Sequence, residues 1–120
     1  MYINETMLAD YTKSLFPDTI RQYSAKWLGK YLIDIFIPSL NIAIEYHGEQ
    51  HFKAIDRFGG EEKLLKQQKR DEFVREQCKK NGVLLLELTY EFKVTEKNVY
   101  DFLSQHIDIP NYKRPFSLFD

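Results

Sequence analysis

Two acidic residues interrupt the most apolar part of the sequence. Asp34 and Glu45 lie in β-branched and aromatic runs, residues 31–37 and 41–47, which predict two strands. A two-residue turn at Ser39-Leu40 would make these strands a hairpin in which Asp34 lies directly opposite Glu45. Like charges placed so are destabilising. The pair therefore predicts a bound hard cation, because one or two carboxylates with a substrate phosphate is a usual arrangement for Mg²⁺ and also suits Mn²⁺.

In this register, the hairpin has two different faces, because successive side chains of a strand alternate. One face is apolar and predicts a core: Ile33, Ile35, Ile37, Ile42 and Ile44. The other face carries the polar groups: Asp34, Phe36, Ala43, Glu45 and His47. The alternative to a metal site is that this second face is solvated and that its acids pair with nearby Lys or Arg.

A second group of candidate residues follows the hairpin. Residues 45–51 end in a polar cluster that includes His47 and His51, and residues 61–80 predict a helix that ends at Asn81-Gly82. On that helix, Asp71 shares a stripe with apolar side chains, so it faces the sheet and needs a partner. His51 is the expected partner. The alternative is that Asp71 is a surface acid at the edge of the stripe, and most of the Lys and Arg of this helix are assigned to a solvated face.

The remaining segments place these residues in an α/β domain. Residues 4–16 and 95–106 predict helices, the second capped by Thr95, and the apolar run 83–88 predicts a strand buried on both faces. The order is helix, β-hairpin, helix, strand, helix, which predicts a mixed β-sheet flanked by helices in one domain, residues 1–120.

Composition narrows the class of protein. Net charge is −1, so no global positive field indicates a nucleic-acid partner, although charge can be segregated on one face. A single cysteine excludes an internal disulfide and a Cys-rich zinc module. No apolar run reaches the length of a membrane span, so a cytoplasmic location is expected.

The run from Tyr31 to His51 resembles the core of the PD-(D/E)XK nucleases. It is most similar to the branch that contains the very-short-patch repair endonuclease and the EDxHD homing endonucleases. The resemblance covers about residues 5 to 90 and rests on these positions: Glu5, Asp34, Glu45, Gly48, His51, Arg70-Asp71, Cys78 and Asn81-Gly82. Glu5 is its weakest part, since the helix dipole alone explains an acid in a first turn. The sequence also departs from the pattern, because His47 stands where the superfamily has a lysine.

The resemblance implies a restriction-endonuclease-like fold and metal-dependent hydrolysis of phosphodiester bonds in nucleic acid, with DNA favoured. Mg²⁺, or Mn²⁺, would be held by Asp34, Glu45 and the backbone carbonyl of Tyr46. The implied catalytic residues are His51 as general base, Asp71 to orient it, His47 and Glu5. A homodimer or a larger partner protein is compatible with a chain of this length.

Two other functions fit the same residues. A nuclease-like domain without catalysis could serve as a nucleic-acid-binding or assembly module, since the charge is near neutral and the lysine is missing. A zinc hydrolase could use His47 and His51, which are four residues apart. The zinc pattern, however, requires a helix with Glu directly after the first His, and here Gly48 follows His47 in a β-run.

Overall fold

A computed structural model describes residues 3–49, 52, 59–107 and 109. These residues form a mixed α/β structure with a four-stranded mixed sheet and three α-helices. The elements are α1 (Ile3–Leu15), β1 (Ile20–Tyr23), a 3₁₀ turn (Lys26–Leu28), β2 (Ile33–Ile37), β3 (Ile42–His47), α2 (Gly60–Lys80), β4 (Leu84–Thr89) and α3 (Glu96–Ser104). Among these residues, no helix is long and apolar enough to cross a membrane.

The chain divides into two compact units. The first combines Met1–Pro17 with Lys93–Asp120, and in it α1 packs against α3. Thr95 caps α3 as predicted, since its Oγ1 accepts a hydrogen bond of 3.1 Å from the amide of Asn98. The second unit, Asp18–Phe92, contains the whole sheet and α2, and it holds most of the candidate site.

The sheet has the order β1-β2-β3-β4, with the first two pairings antiparallel and the β3–β4 pairing parallel. The predicted hairpin turn is confirmed: the amide of Asn41 donates to the carbonyl of Pro38 at 3.2 Å. The predicted register is confirmed as well, because Ile37 pairs with Ile42. A parallel strand after an antiparallel hairpin needs a crossover, and α2 lies within that connection.

Both faces of the hairpin are buried, so the alternative of a solvated polar face is wrong, although the pairing with Arg that it expected is present between Glu45 and Arg70. The face predicted to be polar packs against α2, whose Val74 and Cys78 are each 1% exposed. The core on this side is Leu28, Ile33, Phe36, Ala43, Val74, Cys78 and Val83. On the opposite face, Ile35, Ile37, Ile42 and Ile44 are buried as predicted, whereas Ile33, which was expected with them, belongs to the cluster on the α2 side. Glu45 and His47 are buried too, so their charges and polar atoms need partners.

The structure also corrects the prediction for the last strand. The prediction of burial on both faces is wrong for β4, because β4 lies at the edge of the sheet and is only partly covered. Leu86 and Leu88 are buried, but Leu84 on the same face is 48% exposed, and Glu87 on the other face is exposed as well. β1 and the 3₁₀ turn were not predicted at all. The predicted bounds of the other helices and strands differ from the observed ones by at most two residues.

A substitution at Leu28 tests whether the 3₁₀ turn, which the sequence did not predict, packs against the core. The side chain is fully buried in the cluster on the α2 face. Leu28→Ala should lower the free energy of unfolding by about 2–5 kcal/mol, because it removes buried apolar surface and leaves a cavity. Urea denaturation measures this, with Leu65→Ala as control, since Leu65 is 58% exposed on α2 and should change stability by less than about 0.5 kcal/mol. Equal effects of the two variants would contradict this description of the core.

Candidate functional site

The carboxylates of Asp34 and Glu45 are bound crosswise to the backbone of the hairpin. Further from the turn than the pair Ile35–Ile44, β2 and β3 are joined by hydrogen bonds between side chains and backbone amides. The amide of Asp34 donates to Glu45 Oε2 at 2.8 Å, and the amide of Tyr46 donates to Asp34 Oδ2 at 2.9 Å. Amide donors stabilise carboxylates in their charged form. The two acids are therefore adjacent as predicted, but each has a backbone donor that offsets its charge.

Arg70 on α2 neutralises Glu45. Its NH1 donates to Glu45 Oε1 at 2.8 Å and to Asp71 Oδ1 at 3.1 Å, and its NH2 donates to the carbonyl of Leu32 at 2.6 Å. Burial lowers the pKa of Arg70, but the charge of Glu45 and the hydrogen bonds to both acids outweigh burial and raise it. The sequence identified Arg70 only as part of a motif. The structure shows it as the cation beside a carboxylate whose residue is 2% exposed.

Asp71 is buried towards the sheet, as its place on the helix stripe predicted. The residue is 6% exposed, and Gln67 Nε2 donates to its Oδ1 at 3.3 Å. His51, the predicted partner, lies outside the described residues. Within the described part of the chain, the histidine beside Asp71 is His47, whose Nδ1 lies 3.9 Å from Asp71 Oδ2, too far for a hydrogen bond.

Glu87 on β4 fixes the ring of His47. The distance from His47 Nε2 to Glu87 Oε1 is 2.7 Å, and because an ionised carboxylate only accepts, Nε2 carries the proton. Arg75 donates to both oxygens of Glu87. The hydrogen bond from His47, followed by the bond and charge of Arg75, lowers the pKa of Glu87 to about 2. Sequence reasoning missed Glu87. Its signal was an acid inside a leucine-rich strand.

An open cavity of about 490 Å³ adjoins these groups. Its lining is His47, Phe52, Gln68, Asp71, Glu72 and Arg75. The ring of Phe52 stands edge-on to His47 with centroids 6.3 Å apart. A ligand in this cavity would therefore meet the histidine, one arginine and two acids, of which Asp71 is buried and Glu72 is exposed.

The other candidate residues are placed as follows. Tyr46 is half-buried, and its backbone amide is held by Asp34. Glu5 lies in the first turn of α1, in the other unit, so it is not among the residues that the second unit brings together. Burial, with the charges of Glu45 and Glu87, raises the pKa of Cys78 to about 11, so its thiol stays protonated at neutral pH.

The donor set fits a hard cation only in part. Among the residues that the structure describes, no group of three or more His, Cys, Asp or Glu is placed to hold a metal ion. Asp34 and Glu45 contribute carboxylate oxygens, which Mg²⁺ and Mn²⁺ prefer. A metal at this pair would need further oxygens from the Tyr46 carbonyl, water or substrate.

The chain is similar to three viral proteins, all described only as uncharacterized. It is 40% identical over 65 residues to protein 033L of Invertebrate iridescent virus 3, covering 53% of this chain and 34% of that protein. It is 39% identical over 72 residues to protein 307L of Invertebrate iridescent virus 6, covering 59% and 36%. It is 41% identical over 66 residues to protein 094L of Frog virus 3 (isolate Goorha), covering 53% and 43%.

These relatives do not assign a function. The matched segments cover less than half the length of each relative, so each relative is a longer protein of which this chain resembles one part. The chain matches no protein-family model, and no solved structure matches it.

The ion pair between Arg70 and Glu45 yields a prediction about stability. Arg70→Met leaves the Glu45 carboxylate buried without its cation, so the free energy of unfolding should fall by about 3–5 kcal/mol. The double variant Glu45→Gln with Arg70→Met leaves no unpaired charge at position 45, although Asp71 also loses its bond from Arg70. It should therefore lose less than the sum of the two single losses. Urea denaturation of the four proteins gives the coupling. Lys69→Met, on the exposed side of the same helix, serves as control, and strictly additive losses would contradict the ion pair.

Glu87 predicts how stability depends on pH. Its pKa is about 2 in the folded chain against an ordinary 4.5, so it stabilises the fold above pH 4.5 and loses this contribution as pH falls towards 2. Glu87→Gln should therefore be less stable than the parent at pH 7, and the difference should shrink between pH 5 and 3. Urea midpoints across this range measure it. Glu91→Gln, an exposed acid near the end of the same strand, should follow the parent, and a difference that persists unchanged to pH 3 would refute the role of Glu87.

Proposed function

We propose that this chain is a metal-dependent endonuclease with a restriction-endonuclease-like fold, which hydrolyses phosphodiester bonds in nucleic acid, with DNA as the favoured substrate. The observation that carries the proposal is the crosswise binding of Asp34 and Glu45, which fixes two carboxylates side by side on a rigid hairpin. A site that holds a metal ion against a substrate phosphate requires carboxylates fixed in advance in this way.

The residues that would hold Mg²⁺ or Mn²⁺ are Asp34, Glu45 and, through its carbonyl, Tyr46. When bound there, the metal ion supplies Lewis-acid activation of the phosphate and a water of lowered pKa. Arg70 stands beside this site, with its guanidinium 2.8 Å from Glu45 Oε1. Its positive charge is also placed to face the phosphate that approaches this carboxylate.

His47 is the residue best placed to handle a proton within the described chain. Since Nε2–H is held by Glu87, the nitrogen left to exchange a proton is Nδ1, which lies on the side of Asp71. Asp71 would stabilise the imidazolium once Nδ1 has accepted a proton from water. This arrangement gives His47 a role at the position of the superfamily lysine. The role predicted for His51 as general base stays a prediction.

A second candidate function follows from the ion pair with Arg70. Because Arg70 already supplies a cation to Glu45, the buried acids do not require a metal for charge balance. This observation favours a nuclease-like module that binds nucleic acid without cutting it. The two candidates share a fold and differ in catalysis, so an activity measurement separates them.

The carboxylates provide the test of catalysis. Asp34→Asn and Glu45→Gln should each lower Mg²⁺- or Mn²⁺-dependent cleavage of plasmid and single-stranded DNA by at least about a hundredfold, because each removes a charged metal ligand. Glu76→Gln, an exposed acid on α2, is the matched control and should cut like the parent. EDTA should abolish cleavage by the parent.

The outcomes separate the candidate functions. Purified parent that cuts neither DNA nor RNA with any of these ions, although folded, would favour the non-catalytic module. Cleavage that survives both carboxylate substitutions would place the active centre elsewhere. Activation by Zn²⁺ alone would favour the zinc hydrolase with His47 and His51.

A further inference from the structure

A second open cavity, of about 530 Å³, lies on the side of α2 that carries its first lysines. Its lining is Lys30, Tyr31, Lys63, Lys66, Gln67, Lys69 and Arg70, which we name the basic groove. The lining contains no acidic residue, although the whole chain has a net charge of −1. Positive charge is therefore concentrated at this place.

The lysines of the basic groove are available to a ligand. Lys63 and Lys69 are exposed and make no ion pair with any carboxylate that the structure describes. Lys66 lies 3.6 Å from Glu62, but both side chains are largely exposed, and such a pair contributes little. Solvated lysines without strong partners are suited to phosphates, which they meet as point charges.

Aromatic packing holds the far wall of the groove in place. The Tyr31 ring lies against Phe73, with centroids 5.6 Å apart. Lys30 Nζ is 5.4 Å and Arg70 Cζ is 5.8 Å from the Tyr31 centroid, so both cations sit over one ring. The ring therefore contacts both cations that stand at this wall of the groove.

Arg70 joins the basic groove to the candidate metal site. The same guanidinium lines the groove and contacts Glu45 Oε1 at 2.8 Å. Along α2, Lys63 and Lys69 are separated by roughly 9 Å of helix axis. Since the phosphates of one DNA strand advance by about 3.4 Å per nucleotide along the duplex axis, this row spans about three phosphates.

We propose that the basic groove binds the sugar-phosphate backbone of a nucleic-acid strand, through Lys63, Lys66 and Lys69, and leads that strand to the carboxylates of Asp34 and Glu45. The proposal rests on the proposed function for the identity of the ligand. A repeated row of single cations matches a polymer of regularly spaced phosphates better than one compact polyphosphate. It reads no bases, so binding is independent of sequence.

The test measures binding without metal. A fluorescein-labelled 20-nucleotide strand and the matching duplex are titrated with the full chain in EDTA, by anisotropy, at several salt concentrations. Lys63→Gln with Lys69→Gln should weaken binding by roughly five- to thirtyfold. The slope of log affinity against log salt should fall by about 0.7–0.9 for each phosphate contact removed.

The matched control is Lys79→Gln with Lys80→Gln. It removes the same charge from the same helix at exposed positions that line neither cavity. The control should bind like the parent, and melting temperatures should confirm that both variants are folded. Equal binding by the two double variants, or a parent that binds no strand, would overturn the proposal.

Further arms identify the ligand and keep the two proposals apart. If tripolyphosphate or polyglutamate displaces the strand at equal charge concentration, the groove binds anions in general and the strand proposal is wrong. Asp34→Asn should bind the strand in EDTA at least as tightly as the parent, because it removes a negative charge beside the phosphates. Binding through the groove by a parent that cuts nothing would support the groove and contradict the nuclease. Cleavage by the Lys63→Gln, Lys69→Gln variant with unchanged KM and kcat would support the nuclease and contradict the groove.

Discussion

The buried carboxylate of Glu45 is the constraint on which the unit Asp18–Phe92 depends. Glu45 is 2% exposed, yet both of its oxygens are bound: one by the amide of Asp34 and the other by Arg70. A buried charge without such partners costs several kcal/mol. Since Arg70 also binds the Leu32 carbonyl, α2 is tied to the start of β2 by charge as well as by apolar packing. Any shift of α2 along the sheet would break these bonds together.

Much of this fold could be predicted because it depends on local patterns. The hairpin register follows from turn length and alternation, and the inward position of Asp71 follows from helical periodicity. β1 could not be found in this way. Its residues 20–23 are mostly exposed and show no alternation, so the strand exists through pairing with β2. The burial of β4 was predicted wrongly for a related reason, because a leucine run does not reveal whether its strand lies inside a sheet or at its edge.

The site was predicted less completely because its partners are distant in sequence. Glu87 meets His47 across 40 residues, and Arg70 meets Glu45 across 25. No spacing rule relates such positions. The expected repulsion between Asp34 and Glu45 was also too simple, because bonds from backbone amides to side chains cannot be read from residue types. Residue chemistry identified the acids, whereas the cations and amides that stabilise them required the folded chain.

Arg70 connects these observations, because its guanidinium belongs to two places at once. Arg70 is positively charged and pairs with Glu45, at the place where a divalent cation, also positive, would bind. Arg70 also lines the groove, in which negatively charged phosphates would bind. A metal at Glu45, if it binds there as proposed, would repel Arg70, whereas a phosphate in the groove would attract Arg70 away from the carboxylate. Occupation of the groove would then favour the metal, and by linkage the metal would favour occupation of the groove to the same degree. Within these proposals, a chain with few metal ligands of its own would bind the ion mainly together with the strand that it is to cut.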